Sequence, residues 1–189
     1  MERRLVLEAR GLRKAFKELV AVKDVSFHIA EGETYGLLGP NGAGKTTTIN
    51  MTIGLLERDA VELLVDGKEI RTTSTTAKSA IGYVPQDIAI YPDLTARENL
   101  AFFGSLYGLK GKALSARVDE VLETIGLKER AKDRSVEFFG GMKRRLNIGI
   151  GLLHKPRLLM LDEPTVGVDP QSRNAILESV EHLSAEGMA

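Results

Sequence analysis

Apolar and polar residues alternate along Val25-Ser-Phe-His-Ile29, the period of a half-buried strand. Glu31-Gly-Glu33 reads as a turn into Thr34-Tyr-Gly-Leu-Leu38, a short apolar run suited to a buried strand. Residues 47–53 can continue as a helix. Leu63-Leu-Val65 followed by Asp66-Gly67 predicts a strand and a hairpin turn, and Ile81-Gly-Tyr-Val84 a strand closed by Pro85. From about residue 95 the pattern becomes helical. Thr95-Ala-Arg-Glu98 is a capping box opening a helix that Gly108 stops. A second helix spans about 116–125 with Gly126 as its stop, and a third begins near Met142. Strand signal returns at Arg157-Leu-Leu-Met-Leu161. Asp169-Pro170, as N-cap and first helical residue, starts a last helix that ends near Gly187. The outline is strands, an all-helical insertion, then strand and helix again.

Composition narrows this picture. At 189 residues, 43% hydrophobic and 28% charged, the chain matches a soluble domain with a real core. Lys+Arg and Asp+Glu both number 26, so no global field favours nucleic acid. The absence of cysteine excludes disulfides and thiolate metal sites and fits a reducing compartment. The start, Met1-Glu-Arg-Arg-Leu-Val, lacks the apolar stretch of a signal peptide, and no apolar run approaches the ~20 residues of a membrane span. Direct membrane insertion is therefore not expected. His28, His154 and His182 are scattered, so no histidine metal cluster is expected.

The chemistry lies at Gly39-Pro-Asn-Gly-Ala-Gly44-Lys45-Thr46, a full match to G-x-x-x-x-G-K-[ST] between a strand pattern and a helix pattern. Gly39, Gly42 and Gly44 let the backbone bring its amides close to phosphate oxygens, and the helix start adds its positive dipole end. Lys45 is expected to reach the β- and γ-phosphates, and Thr46 to place its hydroxyl on Mg²⁺. A second element is Leu158-Leu-Met-Leu161-Asp162-Glu163, a buried strand delivering two carboxylates at its C-terminal end, where ligands sit in open α/β sheets. Asp162 is expected to hold Mg²⁺ through water. Glu163 is expected beside the γ-phosphate, orienting or deprotonating an attacking water.

In these motifs nearly all of residues 4–189 resembles the nucleotide-binding subunit of an ATP-binding cassette (ABC) transporter. Leu37–Thr47 is similar to that family's Walker A motif, with Asn41, Ala43 and Thr47 completing the expected nucleotide contacts, and Leu161-Asp-Glu-Pro-Thr165 to its Walker B. Val166-Gly-Val-Asp169 resembles the D-loop, with Asp169 toward the nucleotide. Tyr83-Val-Pro-Gln86 resembles the Q-loop, where Gln86 would touch Mg²⁺ and the attacking water. Phe16 falls where the family stacks an aromatic on adenine, and Val22 beside it; a plain core aromatic is the other reading of Phe16. Gly140-Gly-Met-Lys-Arg-Arg-Leu-Asn-Ile148 resembles the signature, a glycine pair opening a helix toward phosphate. Lys143, Arg144 and Arg145 read as a solvated helix face rather than a nucleic-acid patch, since no aromatic is interleaved.

The resemblance implies an α/β fold with a P-loop NTPase (RecA-like) core formed by 1–86 and 155–189. It adds an N-terminal antiparallel β-subdomain and an inserted α-helical subdomain, 87–154, carrying the signature. It implies ATP and Mg²⁺ as cofactors, an ATP-dependent head-to-tail homodimer and a membrane-spanning transporter subunit as partner, docked on the helical insertion. The location it implies is cytoplasmic, on the inner face of the cell membrane. The wording around Thr46–Thr48 and Pro164–Ser172 looks most like the bacterial multidrug and export branch.

Three departures qualify it. Phe139 stands where the signature has Ser, so a hydroxyl that would donate to the γ-phosphate is absent; one such charge-assisted bond contributes roughly 1.5–3 kcal/mol. Arg58-Asp-Ala-Val61 replaces a Pro-x-Ser-Gly type of turn, so a rearranged loop is expected near 57–62. The family's next core strand and its switch His have no counterpart up to Ala189, which reads as a C-terminally truncated cassette with exposed central strand edges. The leading function is a transport-coupled ATPase subunit, and the alternative an ATP-binding module with weak or no hydrolysis. A DNA-repair ATPase would need coiled-coil arms that do not fit between Gln86 and Phe139. A translation-type protein would usually carry two cassettes. A small-molecule kinase would not need Gly140-Gly141 or Val166–Asp169. The transported substrate and the direction of transport are not readable.

Overall fold

The computed structural model describes residues 4–59 and 62–189. The chain divides into two compact units, residues up to Ile81 together with Leu183–Ala189, and Gly82–His182.

The first unit is built on a long antiparallel hairpin, β1 (Leu5–Phe16) and β2 (Leu19–Ala30). β3 (Leu63–Val65) adds to the other edge of β1 and β4 (Lys68–Glu69) to β3, giving the order β2-β1-β3-β4. Leu7 pairs with Ile29 on one side and Val65 on the other, so the middle of β1 is central and Leu7 is fully buried. The predicted alternation appears in β2, where Ser26 and His28 are exposed and Ile29 is buried. Asp66 and Gly67, at φ 51 and 73, form the predicted two-residue hairpin. Helices α1 (Lys45–Thr52) and α2 (Thr75–Lys78) complete the unit. Ile49 and Met51 of α1 are buried, as are Leu12, Val22 and Leu63 of the sheet; each such side chain stabilises by about 1.5–3 kcal/mol. The C-terminal segment is tied to the turn after β2, since Ser184 Oγ donates to the Gly32 carbonyl at 2.8 Å and the Gly32 amide to the Gly187 carbonyl at 3.2 Å.

Residues 34–38 do not form the predicted strand. Among the described residues they join neither sheet, and Leu38 is 93% exposed. An apolar run becomes a strand only where a neighbour offers its amides and carbonyls. In the loop near 57–62, Arg58 donates to Glu69 and to the Ile70 carbonyl, and Asp59 accepts from Lys14 Nζ at 2.7 Å and the Ala15 amide at 2.6 Å. Ala60 and Val61 lie outside the described residues.

In the second unit, β5 (Ile81–Val84) and β6 (Leu158–Leu161) pair in a two-stranded sheet. Three helices pack on one another: α3 (Ala96–Leu106), α4 (Gly111–Thr124) and α5 (Gly140–Leu152). Leu100, Val118, Val121, Leu122, Ile125, Leu146 and Ile148 are buried in this unit. The crossing needs a small residue: a methyl at Gly149 would lie 2.8 Å from Ile125 and 3.0 Å from Val121. The capping box forms, with the Glu98 amide donating to Thr95 Oγ1 at 3.1 Å and the Thr95 amide to Glu98 Oε2 at 2.8 Å. α4 begins earlier than predicted, at Gly111, where glycine's propensity argues against helix, and α5 begins at Gly140, the glycine pair that the signature resemblance sets at a helix start. The last helix, α6 (Pro170–Ala185), starts on Pro170 as expected, with the Ser172 amide donating to Asp169 Oδ1 at 2.9 Å.

Candidate functional site

The glycine loop belongs to the first unit. Gly44, at φ 84 and ψ 11, is the N-cap of α1. A side chain there would be strained in the left-handed region, and a Cβ would come within 2.5 Å of the Ala21 carbonyl and 3.2 Å of Val22 Cγ2. Gly44 thus lets the loop close onto β2. No side chain caps the helix and its first turn holds no acid, so nothing anionic competes for the amides that open α1. Thr48 and Thr52 turn their hydroxyls back to the carbonyls four residues earlier, leaving Thr46 with the exposed hydroxyl of this turn. Lys45 Nζ donates to the carbonyls of Gly39 at 2.7 Å and Pro40 at 3.0 Å. The ammonium is held over its own loop, and Ala43 closes that loop through its amide to the Pro40 carbonyl at 3.1 Å. The surroundings suit phosphate: exposed backbone from Gly39 to Ala43, a helix start and one cation. Phe16, where β1 turns into β2, is 47% exposed, with Lys14 Nζ 5.7 Å from its ring centre. That exposure excludes the plain core reading. Val22 is buried against the loop.

The carboxylates belong to the second unit. Asp162 follows β6 directly, is 5% exposed, and its amide donates to the Val84 carbonyl at 3.0 Å. Burial, then the Asp162 charge, pushes the Tyr83 hydroxyl above its ordinary pKa, which sets Asp162 beside β5. Glu163 is held at φ 47, a conformation that costs a non-glycine residue about 1–3 kcal/mol. Its carbonyl accepts from the Val166 amide at 3.3 Å, closing the turn that leads to Asp169. Asp169 is taken up by α6, and its bond from Ser172 holds its carboxyl below the usual range.

Gln86 lies in the exposed segment after β5. This segment is fastened from α5, by residues whose role the sequence reading missed. Arg144 is 3% exposed, not on a solvated face; it donates through Nη1 to the Pro85 carbonyl at 2.9 Å and through Nη2 to the Gln86 carbonyl at 2.7 Å. Arg145 donates to the Ile125 and Gly126 carbonyls at the end of α4, at 3.0 and 3.1 Å. The signal was present in the spacing: positions 141, 144, 148 and 151 follow helical periodicity and are all buried, so Arg144 sits on the apolar stripe.

At the start of α5, Phe139 is the N-cap, 83% exposed and with no side-chain hydrogen bond to the helix. Gly140 and Gly141 open the helix as the motif requires. Gly141 has a second, local reason to lack a side chain, because a methyl there would overlap Ser172 of α6. The structure therefore brings the signature glycines to the start of α6, and the Gln86 segment to the middle of α5.

Comparison with known proteins places the chain. The sequence model of the family described as ABC transporter matches residues 22–166. The linearmycin resistance ATP-binding protein LnrL of Bacillus subtilis (strain 168) is 54% identical over 183 residues, which is 97% of this chain and 59% of that protein. The Nod factor export ATP-binding protein I of Paraburkholderia xenovorans (strain LB400) is 42% identical over 181 residues, 96% of this chain and 60% of that protein. The chain thus spans about 60% of the length of these curated relatives. Among solved structures, cbiO1 from Clostridium perfringens, described as part of the ABC transporter complex cbiONQ, matches with a TM-score of 0.89 at 26% identity, over 98% of this chain and 75% of that one. A structure described as the ATP binding subunit of an ABC transporter matches with a TM-score of 0.80 at 31% identity, over 96% of this chain and 76% of that one.

Proposed function

This chain belongs to the ABC transporter family and has its mixed α/β P-loop NTPase fold, and from that premise we propose that it binds Mg²⁺ and ATP and hydrolyses the nucleotide to move a substrate through a membrane-spanning partner. The observation that carries the reading is the uncapped start of α1, with Lys45 held over the glycine loop. The amides of residues 42–47, Asn41 included in the loop, take the phosphate oxygens, and Lys45 exchanges its loop carbonyls for the β- and γ-phosphates. Phe16 offers an exposed ring to adenine, with Val22 packed behind the loop. Thr46, Gln86 and Asp162 are a donor set that suits Mg²⁺, a hard cation satisfied by few protein oxygens plus phosphate and water. Bound there, the ion would neutralise charge on the phosphates. Glu163 orients the water and takes its proton. Gly140 and Gly141 present the start of α5, and Asp169 the turn before α6, to the nucleotide of a second copy. In this reading 1–86 with 155–189 form the ATP-binding core and 87–154 the helical subdomain.

The helical subdomain leaves Tyr91, Phe102 and Leu106 exposed, with the Tyr91 and Phe102 rings meeting at 5.0 Å and Leu106 one turn on along α3, apolar surface suited to the membrane partner. No described helix is long and apolar enough to cross a membrane. Attachment through a partner at the cytoplasmic face is the arrangement that fits the proposal. Measuring ATP affinity and steady-state turnover on one sample tests it. Micromolar-range binding with Mg²⁺-dependent turnover is expected. Binding without turnover would instead favour a nucleotide-binding module, the reading that Phe139 supports by offering no donor.

A further inference from the structure

Arg144 and Asn147, one helical turn apart on α5, are both 3% exposed, and both point at the backbone after β5. Arg144 takes the carbonyls of Pro85 and Gln86. Asn147 uses both ends of its amide: Nδ2 reaches the carbonyls of Pro85 and Asp87 at 3.5 Å each, and Oδ1 accepts from the Ala89 amide at 3.3 Å. Two side chains of one helix thus occupy four backbone groups of five consecutive residues. The guanidinium is expensive to bury. Desolvation pulls its pKa down, the Asp87 carboxylate acts against that, and Nε finds no hydrogen-bond partner among the described residues. A buried cation spent on backbone carbonyls is poor value as packing, since a methionine would fill the space without the desolvation. Its geometry serves to fix one segment against another.

We propose that Arg144, assisted by Asn147, is a positioning residue that latches the Gln86 segment to the helix bearing Gly140 and Gly141, so that Gln86 and the signature glycines move as one body. The latch itself follows from the contacts. Its consequence for turnover rests on the function proposed above, because it assigns Gln86 to the attacking water. When the start of α5 shifts, Gln86 is carried with it rather than left to its exposed loop. Positioning errors of about 1 Å in such groups cost about 10²-fold in rate without loss of ground-state binding.

The test uses the full chain and two variants, Arg144→Met, which keeps length and removes the donors, and Arg144→Lys, which keeps one. Amide hydrogen exchange is read at Ala89 and across α3 and α4, and ATP affinity, KM and kcat are measured alongside. In Arg144→Met, exchange at the Ala89 amide, which donates to Asn147, is expected to quicken by more than about tenfold while α3 and α4 keep their protection. ATP affinity and KM should stay within about twofold, kcat should fall by about 10²-fold, and Arg144→Lys should recover part of both changes. Unchanged exchange at Ala89, or equal loosening throughout α3 and α4, overturns the latch. Quickened exchange at Ala89 with kcat intact overturns its role in positioning. If Arg144→Met does not fold, Arg144→Lys is read by the same criteria. A parent chain that binds ATP without turning it over would refute the proposed hydrolysis, while the exchange result still decides the latch.

Discussion

Glu163 carries two demands that conflict. Its place after β6 requires a left-handed backbone, φ 47, and its proposed role as base requires a carboxylate. Glycine would satisfy the first and abolish the second. Glu163→Gly is therefore expected to leave stability unchanged or raise it by about 1 kcal/mol in denaturant unfolding, while removing turnover. A marked loss of stability would show that the side chain holds the turn. Asp169 gives a prediction in pH. Its folded pKa is depressed, chiefly by the bonds from Ser172, so its contribution is present above the unfolded pKa and lost as pH falls through the folded one. Glu98, depressed by the capping box, acts in the same direction. Melting temperature should fall on acidification below the ordinary carboxylate range, and less steeply in Asp169→Asn, which keeps the cap without the charge. The capping box at Thr95 was legible, because its spacing dictates its bonds, as was the placing of Lys45 at the start of α1 and of Asp162 and Glu163 after β6. Arg144 was not, since a basic triplet reads as solvated unless its place on the buried stripe is weighed.

Helix α5 links the features that matter at the level of elements. Its first residues pack against α6, its middle fastens the segment after β5, and Gly149 lets it approach α4. Gly141→Ala forces a methyl onto Ser172 and is expected to destabilise by about 1–3 kcal/mol, the usual range for overpacking. Ser172→Gly removes both atoms it would meet, so the double variant should recover part of that loss. A double-mutant cycle showing additivity would contradict the contact. Element type was legible where periodicity or capping was strong, as in β2, the 63–69 hairpin, α3 and α6. It failed at 34–38, where five residues fit the strand template yet join neither sheet. Strand formation depends on a partner ladder that a local pattern does not contain. The start of α4 at Gly111 was not legible, because glycine's low helix propensity argues against a helix there.

At the scale of the whole molecule, family membership came from motifs spread over residues 22–166, far more specific than any single element. Phe139 bears on assembly. Exposed at the start of α5, it would meet the second copy's nucleotide with a ring in place of a hydroxyl. Phe139→Ser is expected to strengthen ATP-dependent dimerisation by about tenfold or more, the equivalent of a bond of roughly 1.5–3 kcal/mol, read by sedimentation in a Glu163→Gln background that retains the nucleotide. No gain in dimer would mean that Phe139 has its own means of closing the interface.

In the proposed mechanism the loop around Lys45 grips the nucleotide and Glu163 acts only on the reacting water. Titration of Mg²⁺ and ATP into the parent, Lys45→Ala and Glu163→Gln, with turnover measured on the same samples, separates these roles. Lys45→Ala should lose at least about 10-fold in affinity, while Glu163→Gln should bind as the parent does and turn over about 10²–10⁴-fold more slowly. Undiminished binding by Lys45→Ala, or undiminished turnover by Glu163→Gln, would rule this division of roles out.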